Sequence, residues 1–144
     1  DERTSSGKFA WDGEVGSGAA RATGVKWGCF LQSTPVKPGE TYAVQADCLA
    51  VGASNPTLVV RWQTAESRWT HEHEDRTFVS KAHAGLPGAT QEQGSAQPGE
   101  WRKVFGVATV PPDVGKLVLL LNVTGQAAEH DICWFDNLAL YRLR

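Results

Sequence analysis

The sequence predicts an all-β fold, an antiparallel β-sandwich, from three observations. Apolar residues fall in short runs that alternate with polar ones instead of recurring every three or four positions. Gly, Pro, Asn and Asp separate these runs and supply turn chemistry. No segment has a helix cap followed by sustained helical periodicity, and there is no internal repeat.

The elements follow in order. Phe9 to Trp11, Ala19 to Thr23 and Gly28 to Thr34 read as strands, the last with Phe30 and Gln32 facing outward. Pro38-Gly39 makes a tight turn into Thr41 to Cys48, where Tyr42, Val44, Ala46 and Cys48 form the core face and Ala43, Gln45 and Asp47 the wet one. Asn55-Pro56 reads as a turn before Thr57 to Thr64, which points Leu58, Val60 and Trp62 inward and Arg61 and Gln63 outward. Ala65 to Glu100 is polar and glycine-rich, with short apolar runs such as Phe78-Val79, and reads as a long functional excursion. Trp101 to Val110 is a strand opening on an inward Trp101, and Pro111-Pro112 ends it by removing ladder donors. Lys116 to Val123 sets Leu117, Leu119 and Leu121 against Val118, Leu120 and Asn122, as a central strand does. Ile132 to Tyr141 is the last strand, with Trp134 outward.

A chain of 144 residues is expected to be one domain, 1–144, large enough to fold on its own core. With a formal charge of −2 it lacks the electrostatic footprint for nucleic acid or an anionic membrane. No apolar run approaches the ~20 residues of a spanning helix, and no secretory signal is present in the sequence. A chain that contains no Met and opens on Asp1-Glu2-Arg3 is expected to be a processed form or a module excised from a larger protein. Cys29, Cys48 and Cys133 all fall on inferred core faces and are expected to pack as free thiols, a disulfide being the alternative. There is no Gly-x-Ser-x-Gly elbow, no His-Glu-x-x-His and no phosphate loop, so catalysis has little support. His71-Glu72-His73-Glu74-Asp75 would place two imidazoles on one side of a strand and two carboxylates on the other, a weak transition-metal signal read mainly as a solvated loop.

Five motifs in order carry a resemblance: Gln32; Pro35-Val36-Lys37-Pro38-Gly39-Glu40-Thr41-Tyr42; Gly99-Glu100-Trp101; Val110-Pro111; and Trp134-Phe135-Asp136-Asn137-Leu138-Ala139-Leu140. Together they resemble the β-jelly-roll, galactose-binding-domain-like carbohydrate-binding modules attached to bacterial glycoside hydrolases and polysaccharide lyases, which include xylan- and β-glucan-binding families. The resemblance covers most of the chain and is weakest over Ala65 to Gly99. It implies a non-catalytic, secreted, monomeric module that binds polysaccharide, a plant-type β-glycan such as β-glucan or xylan, and tethers a catalytic domain in the same chain. It also implies a structural Ca²⁺ on Asp136 of the Phe-Asp-Asn motif. Asp12 and Glu14 are partner candidates, with Glu2 a possible upstream acid; satisfaction of Asp136 by turn amides is the alternative.

A sugar offers apolar C–H faces and many hydroxyls, so its site needs exposed aromatic planes and forked polar side chains. Trp134, Arg61, Gln63, Gln45, Asp47, Asn122 and Gln32 are the outward candidates, expected to converge if their strands share a sheet. Trp69 and Trp27 lie in loop-like surroundings and are rim candidates, whereas Trp62 and Trp101 are assigned to the core. The alternative is a structural jelly-roll that packs against a neighbouring catalytic domain without binding sugar, through a bare apolar face centred on Val118 and Leu120.

Overall fold

The computed structural model describes residues 7–15, 18–79 and 100–144, and these form two antiparallel sheets packed face to face. The strands are β1 (Lys8–Asp12), β2 (Ala19–Thr23), β3 (Trp27–Pro35), β4 (Thr41–Val51), β5 (Asn55–Gln63), β6 (Trp69–Thr70), β7 (Arg76–Phe78), β8 (Trp101–Thr109), β9 (Lys116–Thr124) and β10 (Ile132–Arg142). Sheet A runs β1-β2-β10-β4-β8; sheet B runs β3-β9-β5-β6, with β7 also pairing β5. The expected all-β sandwich is the fold, and no helix among the described residues is long and apolar enough to cross a membrane.

The core lies between the sheets. Sheet A contributes Val44, Ala46, Cys48, Val104, Cys133 and Phe135; sheet B contributes Leu58, Val60, Trp62, Leu117, Leu119 and Val123. β4, β5 and β9 keep the alternation read from the sequence. β3 has the opposite phase to the one expected. Phe30 turns inward, where its ring meets Phe9 edge-on at 5.2 Å and Phe135 at 6.4 Å. Cys29 consequently faces out on sheet B, opposite Asn122, so only Cys48 and Cys133 are core thiols.

β8 is also reversed. Trp101, Phe105 and Val107 face outward, while Val104, Gly106 and Ala108 face the core. The cause is Phe78 of β7, whose ring lies over Gly106 so closely that a Cβ there would come within 2.1 Å of it. The inward side of β8 therefore admits small residues and the large apolar ones take the outside. Asn55-Pro56 is not a turn but the start of β5; the bend comes at Gly52, φ +72°. Pro56 pairs with Val123 of β9 beyond the span where β7 joins β5, so β5 has a strand neighbour on one side only at that position.

Two buried polar side chains hold the loops at one end. The Gln126 carbonyl accepts the Val25 amide at 2.7 Å, and its amide nitrogen donates to Ser54 Oγ at 2.7 Å. Asp131 accepts the amides of Ala53 and Ala127 at 2.8 Å and of Ala128 at 3.0 Å, joining the β4–β5 and β9–β10 loops. The Ala127 and Ala53 amides lead in holding the Asp131 carboxyl below its ordinary 3.8, against burial, with the Ala128 amide and His130 adding. A depressed folded value means stability that is present above the ordinary pKa and lost as pH falls through the lowered one. Asp131→Asn is expected to lower the urea midpoint near neutral pH and to remove part of the acid-side loss; a variant with an unchanged acid limb would exclude Asp131 as its source.

Candidate functional site

The outward face of sheet B is assembled by register. Successive rows read Trp27, Thr124 and Asn55; Cys29, Asn122 and Thr57; Leu31, Leu120, Val59 and Thr77; Ser33, Val118 and Arg61; Lys116, Gln63 and Trp69. Eight residues of β3 separate the first row from the last, about 26 Å of sheet. Trp27 and Trp69 thus mark opposite ends of the face, 49% and 43% exposed. Both belong to strands rather than loops: Trp27 opens β3 and Trp69 opens β6.

The most constrained part is around Arg61. Its Nε donates to Asp75 Oδ2 at 2.9 Å, and its guanidinium carbon lies 4.3 Å from the Trp69 ring centroid. Trp69 therefore spends one ring face on Arg61 while 43% of the residue remains exposed. Asp75 follows a 3₁₀ turn, Glu72–Glu74, whose Glu74 carbonyl accepts the buried Trp62 indole N–H at 2.9 Å. Asp75 Oδ1 is buried with no hydrogen-bond donor. Further along the face, Asn122 donates to Thr57 Oγ at 3.4 Å, and at the Trp69 end Lys116 reaches Ser67 Oγ at 2.6 Å. Val118, although outward, is fully covered, and Leu120 is half-buried. The bare apolar centre required for docking through those two residues is therefore missing.

The expected convergence of the candidates on one surface is not observed. Arg61, Gln63, Asn122, Trp69 and Trp27 share sheet B, but Trp134, Gln45 and Asp47 lie on the outward face of sheet A, on the other side of the molecule. The reason is that β4 and β10 belong to sheet A, a long-range pairing that alternation within one strand cannot reveal. Gln32 goes with Phe30 to the interior side of edge strand β3, beside Leu119 and Leu138 at an open crevice. Trp134 uses its indole N–H on Asp12 Oδ2, at 3.1 Å. Trp101, expected in the core, is outward and 37% exposed.

The Phe-Asp-Asn motif builds a β-bulge. Register slips between Asp136 and Ala139, with Asn137 at φ +52°, a conformation Asn tolerates. Asp136 Oδ1 accepts the Asn137 amide at 2.7 Å, and Asn137 Nδ2 donates to Asp47 at 2.9 Å. Leu138 and Leu140 then pack against the core. The three implied acids do not gather into one ligand group. Asp12 is committed to Arg21 at 3.4 Å, to Trp134 and to the Glu14 amide at 3.2 Å. No group of three or more His, Cys, Asp and Glu among the described residues could hold a metal ion; Glu2 lies outside them. His71 precedes the 3₁₀ turn and His73 lies within it, so the two do not share a strand face; their rings stack at 6.0 Å and His71 Nδ1 is 3.0 Å from Thr70 Oγ.

No protein-family model matches this chain, and no curated protein matches it either. Solved structures do. An enzymatically active domain of tailspike protein 4 from bacteriophage CBA120 superposes with a TM-score of 0.63 and 10% identity, covering 97% of this chain and 19% of that one. A family 16 carbohydrate-binding module matches at TM-score 0.56 and 15% identity, covering 94% of this chain and 86% of its own. The family 22 module and GH10 portion of a Clostridium thermocellum xylanase, complexed with xylohexaose, matches at TM-score 0.54 and 11% identity, covering 94% of this chain and 24% of that one. The fold is therefore that of the β-sandwich carbohydrate-binding modules, and the chain spans about a fifth of the tailspike chain it matches.

Three outcomes are expected. Trp62→Phe keeps an aromatic side chain but removes the indole N–H from the Glu74 carbonyl and leaves part of the buried indole volume unfilled, costing at least about 1 kcal/mol in urea unfolding. Native alkylation followed by mass measurement should label Cys29 first. Burial raises all three thiols, but Cys48 is pushed to about 11 by burial and the Asp47 charge, and Cys133 well above 9.0 by burial and Cys48. With Asp12 and Asp136 acting as hydrogen-bond acceptors, EDTA should leave the Tm unchanged; a fall reversed by added calcium would restore a cation site.

Proposed function

We propose that the chain is a non-catalytic carbohydrate-binding module that takes up a polysaccharide across the outward face of sheet B. The observation that carries this reading is Arg61, held through Nε by Asp75 and against the Trp69 ring, next to Gln63 on the same face. The two terminal nitrogens of such a guanidinium form a planar pair of donors for sugar hydroxyls, and the exposed part of Trp69 offers a plane for a sugar's C–H face. Asn122, held by the buried Thr57 hydroxyl, supplies a polar group between that end and Trp27. A face about 26 Å long, bounded by tryptophans, suits the interior of a chain better than one terminal residue.

The ligand class is a plant-type β-glycan, xylan or β-glucan; one fold neighbour is described in complex with xylohexaose. The module acts by tethering a catalytic domain in the same chain, outside the cell, to a repetitive substrate, which raises effective concentration without new chemistry. Affinity electrophoresis against xylan, β-glucan, mannan and galactan tests this. Arg61→Ala and Trp69→Ala should each weaken retention at least ten-fold, about 1.4 kcal/mol, and Arg61→Lys should not restore it because the planar donor pair is lost. Absence of retention of the unaltered chain on every glycan would refute the proposal.

A further inference from the structure

The outward face of sheet A carries a second arrangement of the same chemistry. β4 lies between β10 and β8, and its outward residues there are small or polar: Ala43 pairs with Tyr141 on one side and Val107 on the other, and Gln45 with Ala139 and Phe105. Tyr141 is 55% exposed, Val107 51%, Phe105 49% and Trp101, further along β8, 37%. Tyr141 and Val107 stand on either side of Ala43, two strand spacings or about 10 Å apart, and Phe105 walls the β8 side of Gln45 while Ala139 leaves its β10 side low, which makes a shallow trough along this part of β4. The nearby charges neutralise one another: Lys103 lies 3.6 Å from Asp47, which also accepts from Asn137.

What such a trough receives follows from its size and charge. Three strands over the seven residues from Trp101 to Val107 cover about 300 Å², far below the roughly 800 Å² per partner of a standard protein interface. A second copy or a folded domain would be held weakly there. Among the described residues, the cation beside the trough, Lys103, is already paired with Asp47, which leaves little to attract a nucleic acid or acidic polymer. An extended, uncharged chain with apolar faces and hydroxyls matches it: aromatic rings for the faces and the Gln45 amide, both donor and acceptor, for the hydroxyls.

We propose that the outward face of sheet A is a second carbohydrate-binding surface, for a neutral glycan lying along β4 between Tyr141 and the Phe105–Val107 side. This rests on the reading of the chain as a glycan binder. It makes the module two-faced, able to hold one polysaccharide strand on each sheet and so to bridge two strands.

The test compares the unaltered chain, a sheet B variant (Arg61→Ala with Trp69→Ala) and a sheet A variant (Phe105→Ser with Tyr141→Ser). Each is checked for an unchanged circular dichroism spectrum and run in affinity gels containing soluble xylan, mixed-linkage β-glucan or galactomannan. Single Tyr141→Ala and Phe105→Ala variants stand in if the double variant does not fold. The sheet B variant is expected to retain measurable retardation that the sheet A changes then abolish. The unaltered chain should raise the turbidity of the retained glycan at low protein-to-glycan ratio, and the sheet A variant should not. Complete loss of retardation in the sheet B variant, with none in the sheet A variant, would overturn this proposal and leave the first site standing. A concentration-dependent dimer in light scattering that Tyr141→Ala abolishes would overturn it in favour of self-association. No retardation of the unaltered chain would instead remove the glycan reading itself.

Discussion

One buried side chain ties the interior of this sandwich to its candidate surface. Trp62 is 1% exposed at the centre of sheet B, and its indole N–H has to be satisfied because an unpaired donor in a low-dielectric interior is costly. It finds the Glu74 carbonyl, and so fixes the short 3₁₀ turn next in line. That turn presents Asp75 to Arg61, and Arg61 lies over Trp69. A hydrogen bond demanded by the core thereby sets the geometry of a guanidinium and an aromatic ring on the outside. The order of the site is inherited from the core and does not depend on loop stiffness.

A second constraint decides where the remaining aromatics go. Interiors are close-packed, so a ring placed over a strand dictates small residues beneath it. Phe78 over Gly106 does this for β8 and displaces Trp101, Phe105 and Val107 to the outer surface. Phe30 works in the other direction, since its contacts with Phe9 and Phe135 draw it inward and send Cys29 and Leu31 out. Both sheets therefore present aromatic or apolar residues to solvent.

The candidate site was legible in part. Arg61, Gln63 and Asn122 were readable because β5 and β9 alternate without interruption, so the outward set could be named residue by residue. Trp69 and Trp27 were readable only as exposed rings, since the two-residue β6 is too short to show a period. Asp75 was missed as a partner of Arg61: the string around it drew attention to its histidines, while its function depends on a contact fourteen residues back in the chain. Gln126 and Asp131 were missed altogether. A Gln and an Asp in a turn look like ordinary loop residues, and only the three loops they join reveal why they are buried. The Phe-Asp-Asn motif was visible, but what it builds, a bulge that restores the inward phase with Leu138, was not.

The sequence by itself determined the strand-forming runs, most of the turns, the all-β class and the phase of the strands with unbroken alternation. These depend on steric and hydrogen-bonding preferences between residues close in the chain, which any short window of sequence contains. Tertiary structure decided which strands share a sheet, and with it the division of Arg61 and Trp69 from Trp134, Gln45 and Asp47 onto opposite faces. It also decided the phase of β3 and β8, where both sides carry apolar residues. There local preference is balanced, and the outcome falls to rings arriving from other strands, whose volume leaves room for one arrangement.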